Sequence, residues 1–154
     1  MWRTIQRALL IVLGGSALGL VANAISPRGI PYITPPQPKL ETQDTIPLPE
    51  ARELWNSGAV FFLDARSPSD YAAGHIVNAF NLPVEEFDNH YAGVAAMLTP
   101  DSVLVVYCDG LQCDLSHKLM TKLRELGYRH VRVLVNGWTV WQTAGLPTHK
   151  GDQP

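Results

Sequence analysis

The chain has 154 residues, enough for one domain of ordinary size plus additional segments, and 46% of them are apolar, which excludes a disordered chain. A net charge of −2 with no basic cluster argues against nucleic acid as a partner, because phosphate binding needs concentrated Lys and Arg. Two cysteines, five positions apart, are too few for a disulfide framework and suit a shared local role.

Residues 1–27 are a different kind of chain from the rest. Arg3 and Arg7 precede residues 8–27, which carry no charge. Twenty helical residues rise about 30 Å, the hydrocarbon thickness of a bilayer. Positive residues ahead of the run keep the N-terminus inside, so the domain is expected outside the cytoplasm, tethered to the membrane through residues 8–27. A cleaved signal is the competing reading: residues 22–24, ANA, resemble a signal-peptidase site, and Gly14, Gly15, Ser16 and Gly19 temper the hydrophobicity. Cleavage would leave a secreted or periplasmic domain, and a buried soluble helix is a third reading. Residues 26–49 hold seven of the twelve prolines, a density that favours a stiff extended spacer. The expected organisation is an anchor or signal at 1–27, a Pro-rich linker at 28–44 and a folded domain at 45–150.

Within that domain, residues 49–58 read as a short helix stopped by Gly58. Residues 59–65, AVFFLDA, form an apolar run of strand length, followed by a helical turn that Ser67 can cap. Residues 84–98 read as a longer amphipathic helix ending before Pro100. Residues 102–108, SVLVVYC, are a second apolar strand. Residues 114–127 form a helix with Leu115, Leu119, Leu123 and Leu126 on one side and Gly127 as its stop. A third strand, VRVLV at 131–135, and a closing helix at 137–145 complete the series. Strands apolar on both faces, alternating with helices, define an α/β fold with a parallel sheet covered on both sides. Ligand sites in such sheets lie beyond the carboxyl ends of the strands, where Cys108 stands.

A thiol is a nucleophile only when ionised, and its free pKa is about 8.5. Converging amides of a strand-to-helix loop, with the positive end of the next helix, favour the thiolate; Asp109 and Asp114 oppose it. Activation is therefore expected from the main chain. A buried inert cysteine is the plain alternative for Cys108. For the pair, a structural disulfide is weakly motivated, since closing so short a loop stabilises by roughly 2 kcal/mol. Cys113 and His117, four apart on one helix face, with Cys108 and Asp114 near, admit a metal reading, but no second CxxC or HxxxH supports it and no metal is expected.

Residues 62–83 followed by 105–147 resemble a rhodanese-like domain. The resemblance rests on Asp64, Ala65 and Arg66; on Gly74, His75 and Ile76; on Asn81, Leu82 and Pro83; on the strand-end Cys108; and on Gly137 and Trp138 with Gly145, Leu146 and Pro147. It implies a parallel five-stranded sheet flanked by helices. It also implies a cysteine that takes sulfane sulfur as a persulfide and passes it to a thiophilic acceptor. Cys108 is then the nucleophile and Cys113, an addition within the loop, a resolving thiol. Asp109, Gly110, Leu111, Gln112, Asp114 and Leu115 form the substrate-binding loop, and no cofactor is implied. Loops of this family usually run from the cysteine to an arginine and then a serine. Here Ser116 matches the serine, Leu115 takes the arginine's place, and the loop is about two residues longer. Without a cation an oxyanion donor such as thiosulfate is poorly held, and the same absence argues against the dual-specificity phosphatases built on this fold, which need that arginine. The expected partners are a persulfide or polysulfide donor and a thiol acceptor, with a thiol–disulfide redox domain and a catalytically silent binding module as rival readings. Asp64 and Arg66 are expected to make structural pairings with local partners within the domain, His75 to be a packed, hydrogen-bonded histidine, and His117 an exposed residue one turn from the loop. Trp138 and Trp141 read as packing residues. No protein partner is legible.

Overall fold

The computed structural model describes residues 2–26, 42–110 and 114–154. The chain divides into two units, Met1–Gln37 and Pro38–Pro154. In the first, α1 (Trp2–Ile25) is one helix. Its stretch Trp2–Asn23 is long and apolar enough to cross a membrane. An anchor and a signal sequence both meet that description. Most of the expected spacer, residues 28–41, lies outside the described residues; Thr42–Asp44 form a 3-10 turn.

The second unit is built on a parallel sheet of β1 (Phe61–Asp64), β3 (Phe80–Asn81), β4 (Val103–Tyr107) and β5 (His130–Leu134), in the order β3-β1-β4-β5. A separate antiparallel pair joins β2 (His75–Ile76) to β6 (Thr148–His149). The main sheet has four strands among the described residues, not the five that the resemblance implied. The place beside β5 is taken by Thr45, which bridges Val133, and by Ile46, whose N–H donates to the Val133 carbonyl at 3.0 Å. Pro47 and Pro49 then follow, one lacking an amide to extend the ladder and the other entering a helix, so pairing stops after one step.

Helices α2 (Leu48–Ser57), α3 (Pro68–Ala73), α4 (Phe87–Ala95), α5 (Leu115–Glu125) and α6 (Gly137–Thr143) connect the strands. Gly58 ends α2 in the left-handed region at φ 67°, and the Ser67 hydroxyl accepts from the Asp70 amide to cap α3. The helix expected over residues 84–98 divides into a 3-10 turn, Val84–Glu86, and the shorter α4.

Strand alternation decides what each face buries. Leu104, Val106 and Cys108 point to one side and join Leu63, Phe87 and Val94 with Leu119, Met120 and Leu123 of α5. Val105 and Tyr107 point to the other, with Phe62, Ala51 of α2 and Trp141 of α6. Leu104, Leu119, Leu123 and Trp141 are fully buried. Burial of each such leucine contributes about 1.5–3 kcal/mol. The two half-cores clamp β4 at the centre of the sheet and fix the height at which Cys108 emerges.

Candidate active site

Cys108 follows the last residue of β4 and is 1% exposed. Its Sγ lies 3.3 Å from the Ser116 hydroxyl, in the first turn of α5. Ser116 is equally buried. The Cys108 sulfur is disulfide-bonded in the structure. Leu111, Gln112 and Cys113 lie outside the described residues, so the expected role of Cys113 rests on the sequence.

The root of the loop is tied to the turn between β5 and α6. The Trp138 amide donates to the Cys108 carbonyl at 3.1 Å. The Gly110 amide donates to Asn136 Oδ1 at 2.8 Å and to Asp109 Oδ1 at 2.9 Å, and the Thr139 hydroxyl donates to the same Asp109 oxygen. Asn136 reaches this position with φ 52°, a left-handed conformation that asparagine tolerates better than most residues. Gly137 lets α6 approach β4 closely: a Cβ there would stand 2.5 Å from Tyr107 Cβ.

Asp64 and Arg66, both buried, form a forked ion pair, with Arg66 Nη2 2.6 Å from Asp64 Oδ2 and Nε bonded to both carboxylate oxygens. Arg66 Nη2 also donates to the Gly74 carbonyl at 2.7 Å. Its guanidinium lies 4.7 Å from the centroid of the Trp138 ring. Burial works against the charged guanidinium, but the hydrogen bonds to Asp64 and the charges of Asp64, Tyr107 and Asp109 hold its pKa above the ordinary value. Asp109 is thus felt electrostatically at Arg66, yet among the described residues no basic side chain comes within ion-pair distance of its carboxylate. Tyr107, behind the cysteine, is pushed well above the ordinary phenol value by burial and then by Asp64, and its oxygen accepts the Ile76 amide.

The remaining site candidates separate. Asp114 pairs with Lys118 at 2.8 Å, both half-exposed, and the hydrogen bond from Lys118 lowers the carboxyl pKa. His117 is half-buried; desolvation lowers its pKa against the opposing charges of Asp114 and Asp44. His75 is fully buried, stacked on the Tyr71 ring at 3.7 Å, with Nδ1 2.9 Å from the Tyr71 carbonyl and Nε2 without a partner among the described residues. It is tied to α3 rather than to the cysteine loop. Leu115 lines a cleft of about 140 Å³ with Ala65 and with the carboxylates Asp70, Glu85 and Glu86. Among the described residues no group of three or more His, Cys, Asp or Glu could hold a metal ion. Asn136 and Thr139 escaped the sequence reading as site residues, although Asn-Gly after an apolar strand is a turn signal.

A parallel sheet with a cysteine at the carboxyl end of a central strand and a serine in the first turn of the next helix is the arrangement that the resemblance to a rhodanese-like domain implied. Residues 48–144 match the Rhodanese-like domain family, and the chain belongs to it. The chain is 33% identical over 112 residues to the human thiosulfate:glutathione sulfurtransferase, covering 63% of this chain and 91% of that one. It is 35% identical over 109 residues to an HTH-type transcriptional regulator of Mycobacterium tuberculosis, covering 71% of this chain but 46% of the regulator. An uncharacterized protein of Synechocystis is covered to 58%, so the chain spans about half the length of these two relatives. Among solved structures, the rhodanese-like domain of an Anabaena protein superposes with a TM-score of 0.59 at 26% identity, covering 73% of this chain and 82% of that one. A human single-domain sulfurtransferase superposes with a TM-score of 0.55 at 29% identity, covering 65% and 96%.

Proposed function

We propose that the protein is a membrane-tethered sulfurtransferase, with its domain outside the cytoplasm, that moves sulfane sulfur through a persulfide on Cys108. The observation that carries this reading is the Cys108 sulfur at the end of β4, 3.3 Å from the Ser116 hydroxyl, in a rhodanese-like chain. The sulfurtransferase relatives support the reaction class.

In the loading step, once a dithiol has reduced the disulfide at Cys108 by two electrons, the Cys108 thiolate attacks the outer sulfur of a persulfide donor, R–S–SH. The S–S bond of the donor breaks, RS⁻ leaves, and Cys108–S–SH forms. An acceptor thiolate then attacks that outer sulfur, takes it as its own persulfide and returns the Cys108 thiolate. The Ser116 hydroxyl can donate to the inner sulfur as it becomes a thiolate leaving group. Persulfide or polysulfide donors suit a loop without a cation better than thiosulfate. Cys108→Ser is expected to abolish sulfur transfer to a small thiol while the domain stays folded, with an unfolding midpoint close to that of the reduced wild-type chain. Retained transfer would exclude Cys108 as the carrier.

The disulfide at Cys108 favours a second reading, a redox function of the Cys108/Cys113 pair. Attack of the Cys113 thiolate on the inner sulfur of the Cys108 persulfide would release HS⁻ and leave a disulfide, which a dithiol would reduce by two electrons and two protons. The tether rests on Arg3 and Arg7, in the first turns of α1, preceding the uncharged run of residues 8–27. Full-length chain is expected to stay with the membrane fraction through alkaline carbonate extraction; release as a shortened chain would indicate a cleaved signal instead.

A further inference from the structure

We infer that the carboxylate of Asp109, with the acidic cleft beside the loop, selects sulfur donors by charge, so that neutral and monoanionic donors are used in preference to dianions. This rests on the reading of Cys108 as the sulfur carrier. It goes beyond the absence of a cation by assigning discrimination to a fixed negative charge.

Three observations carry it. Asp109 directly follows Cys108, and its carboxylate is immobilised by the Thr139 hydroxyl and the Gly110 amide. Among the described residues, Arg66 forks onto Asp64 and Lys118 pairs with Asp114, so both of these cations are already engaged. Asp109, the residue that follows the sulfur carrier, has no such partner within ion-pair distance among the described residues; Arg66 feels its charge but is bonded to Asp64. The cleft that meets the loop at Leu115 adds Asp70, Glu85 and Glu86 and no Lys or Arg. A dianion approaching such a surface is repelled by every one of these charges, and a zwitterion by almost none.

Donors of different charge that share one transfer step reveal the effect through the change in their ratio. Thiosulfate, methanethiosulfonate and 2-aminoethanethiosulfonate carry two, one and no net negative charges near neutral pH. Each delivers sulfur by the same step: the Cys108 thiolate attacks the outer sulfur, the S–S bond breaks, and sulfite or a sulfinate leaves with the bonding pair. Full-length chain, reduced with a dithiol that is then removed, is assayed with each donor at low and high ionic strength.

In Asp109→Ser, which retains an oxygen to accept the Gly110 amide, the ratio of kcat/KM for thiosulfate to that for the zwitterion is expected to rise about fivefold. Raising the salt is expected to lift the same ratio in the unaltered protein, which makes the test independent of how the variant folds. Asp101→Asn makes the same change of total charge at the opposite end of β4, where Asp101 pairs with Arg129 in solvent, and is expected to leave the ratio where it was. A ratio that moves less than twofold in Asp109→Ser and is insensitive to salt would overturn the inference, as would an equal response in Asp101→Asn. Should no donor place sulfur on Cys108, the sulfurtransferase reading itself fails; donors that all load it at indifferent ratios defeat the charge selection alone.

Discussion

Leu115 marks how this site departs from its family at the level of single residues. It opens α5 one position before the serine that touches the Cys108 sulfur, where the family resemblance places an arginine. A leucine there can exclude water from the cleft but cannot hold an oxyanion. Charge-assisted hydrogen bonds are roughly twice as strong as neutral ones, so Leu115→Arg is expected to raise kcat/KM for thiosulfate by about tenfold. Steady-state sulfite release measures it, and an unchanged value would mean that the loop's length, not its missing cation, limits this donor. His75 makes the contrasting case. Its position in a Gly-His-Ile motif is conspicuous in the sequence, yet its ring is spent on stacking with Tyr71 and on the Tyr71 carbonyl.

At the level of elements, the long features were legible and the short ones were not. Residues 102–108 announce a buried strand by continuous apolar character, and the leucines of residues 114–127 announce the helix that covers it; both stand where the pattern put them. The two-residue strands β2, β3 and β6 have no periodicity to read, because alternation needs several residues to show. The helix expected over residues 84–98 is broken at Glu86, whose φ of −117° and ψ of 26° lie outside the helical region. The fifth strand implied by the resemblance is reduced to the bridge at Thr45, and Pro47 two residues on supplies the reason. Within the site, Cys108 and its loop follow from the strand-end rule. The clamp on that loop does not: Asn136 and Thr139 lie 26 and 30 residues from the groups they bind, and only the fold brings them together.

For the whole molecule, the sheet sets the chemistry by geometry. Two half-cores hold β4 centrally, Gly137 brings α6 against it, and the turn before α6 grips the loop that carries the sulfur. The apolar α1 is a separate unit of the chain whose length and composition bear on location rather than reaction. The claim on which the functional account depends is that Cys108 carries transferable sulfur. The most direct measurement is peptide-resolved mass spectrometry of reduced full-length chain after exposure to a sulfane donor. The account predicts a gain of one sulfur atom on the peptide containing Cys108, removed again by cyanide or by an acceptor thiol. An unmodified Cys108 with every donor class, in protein shown to be reduced and folded, would contradict it.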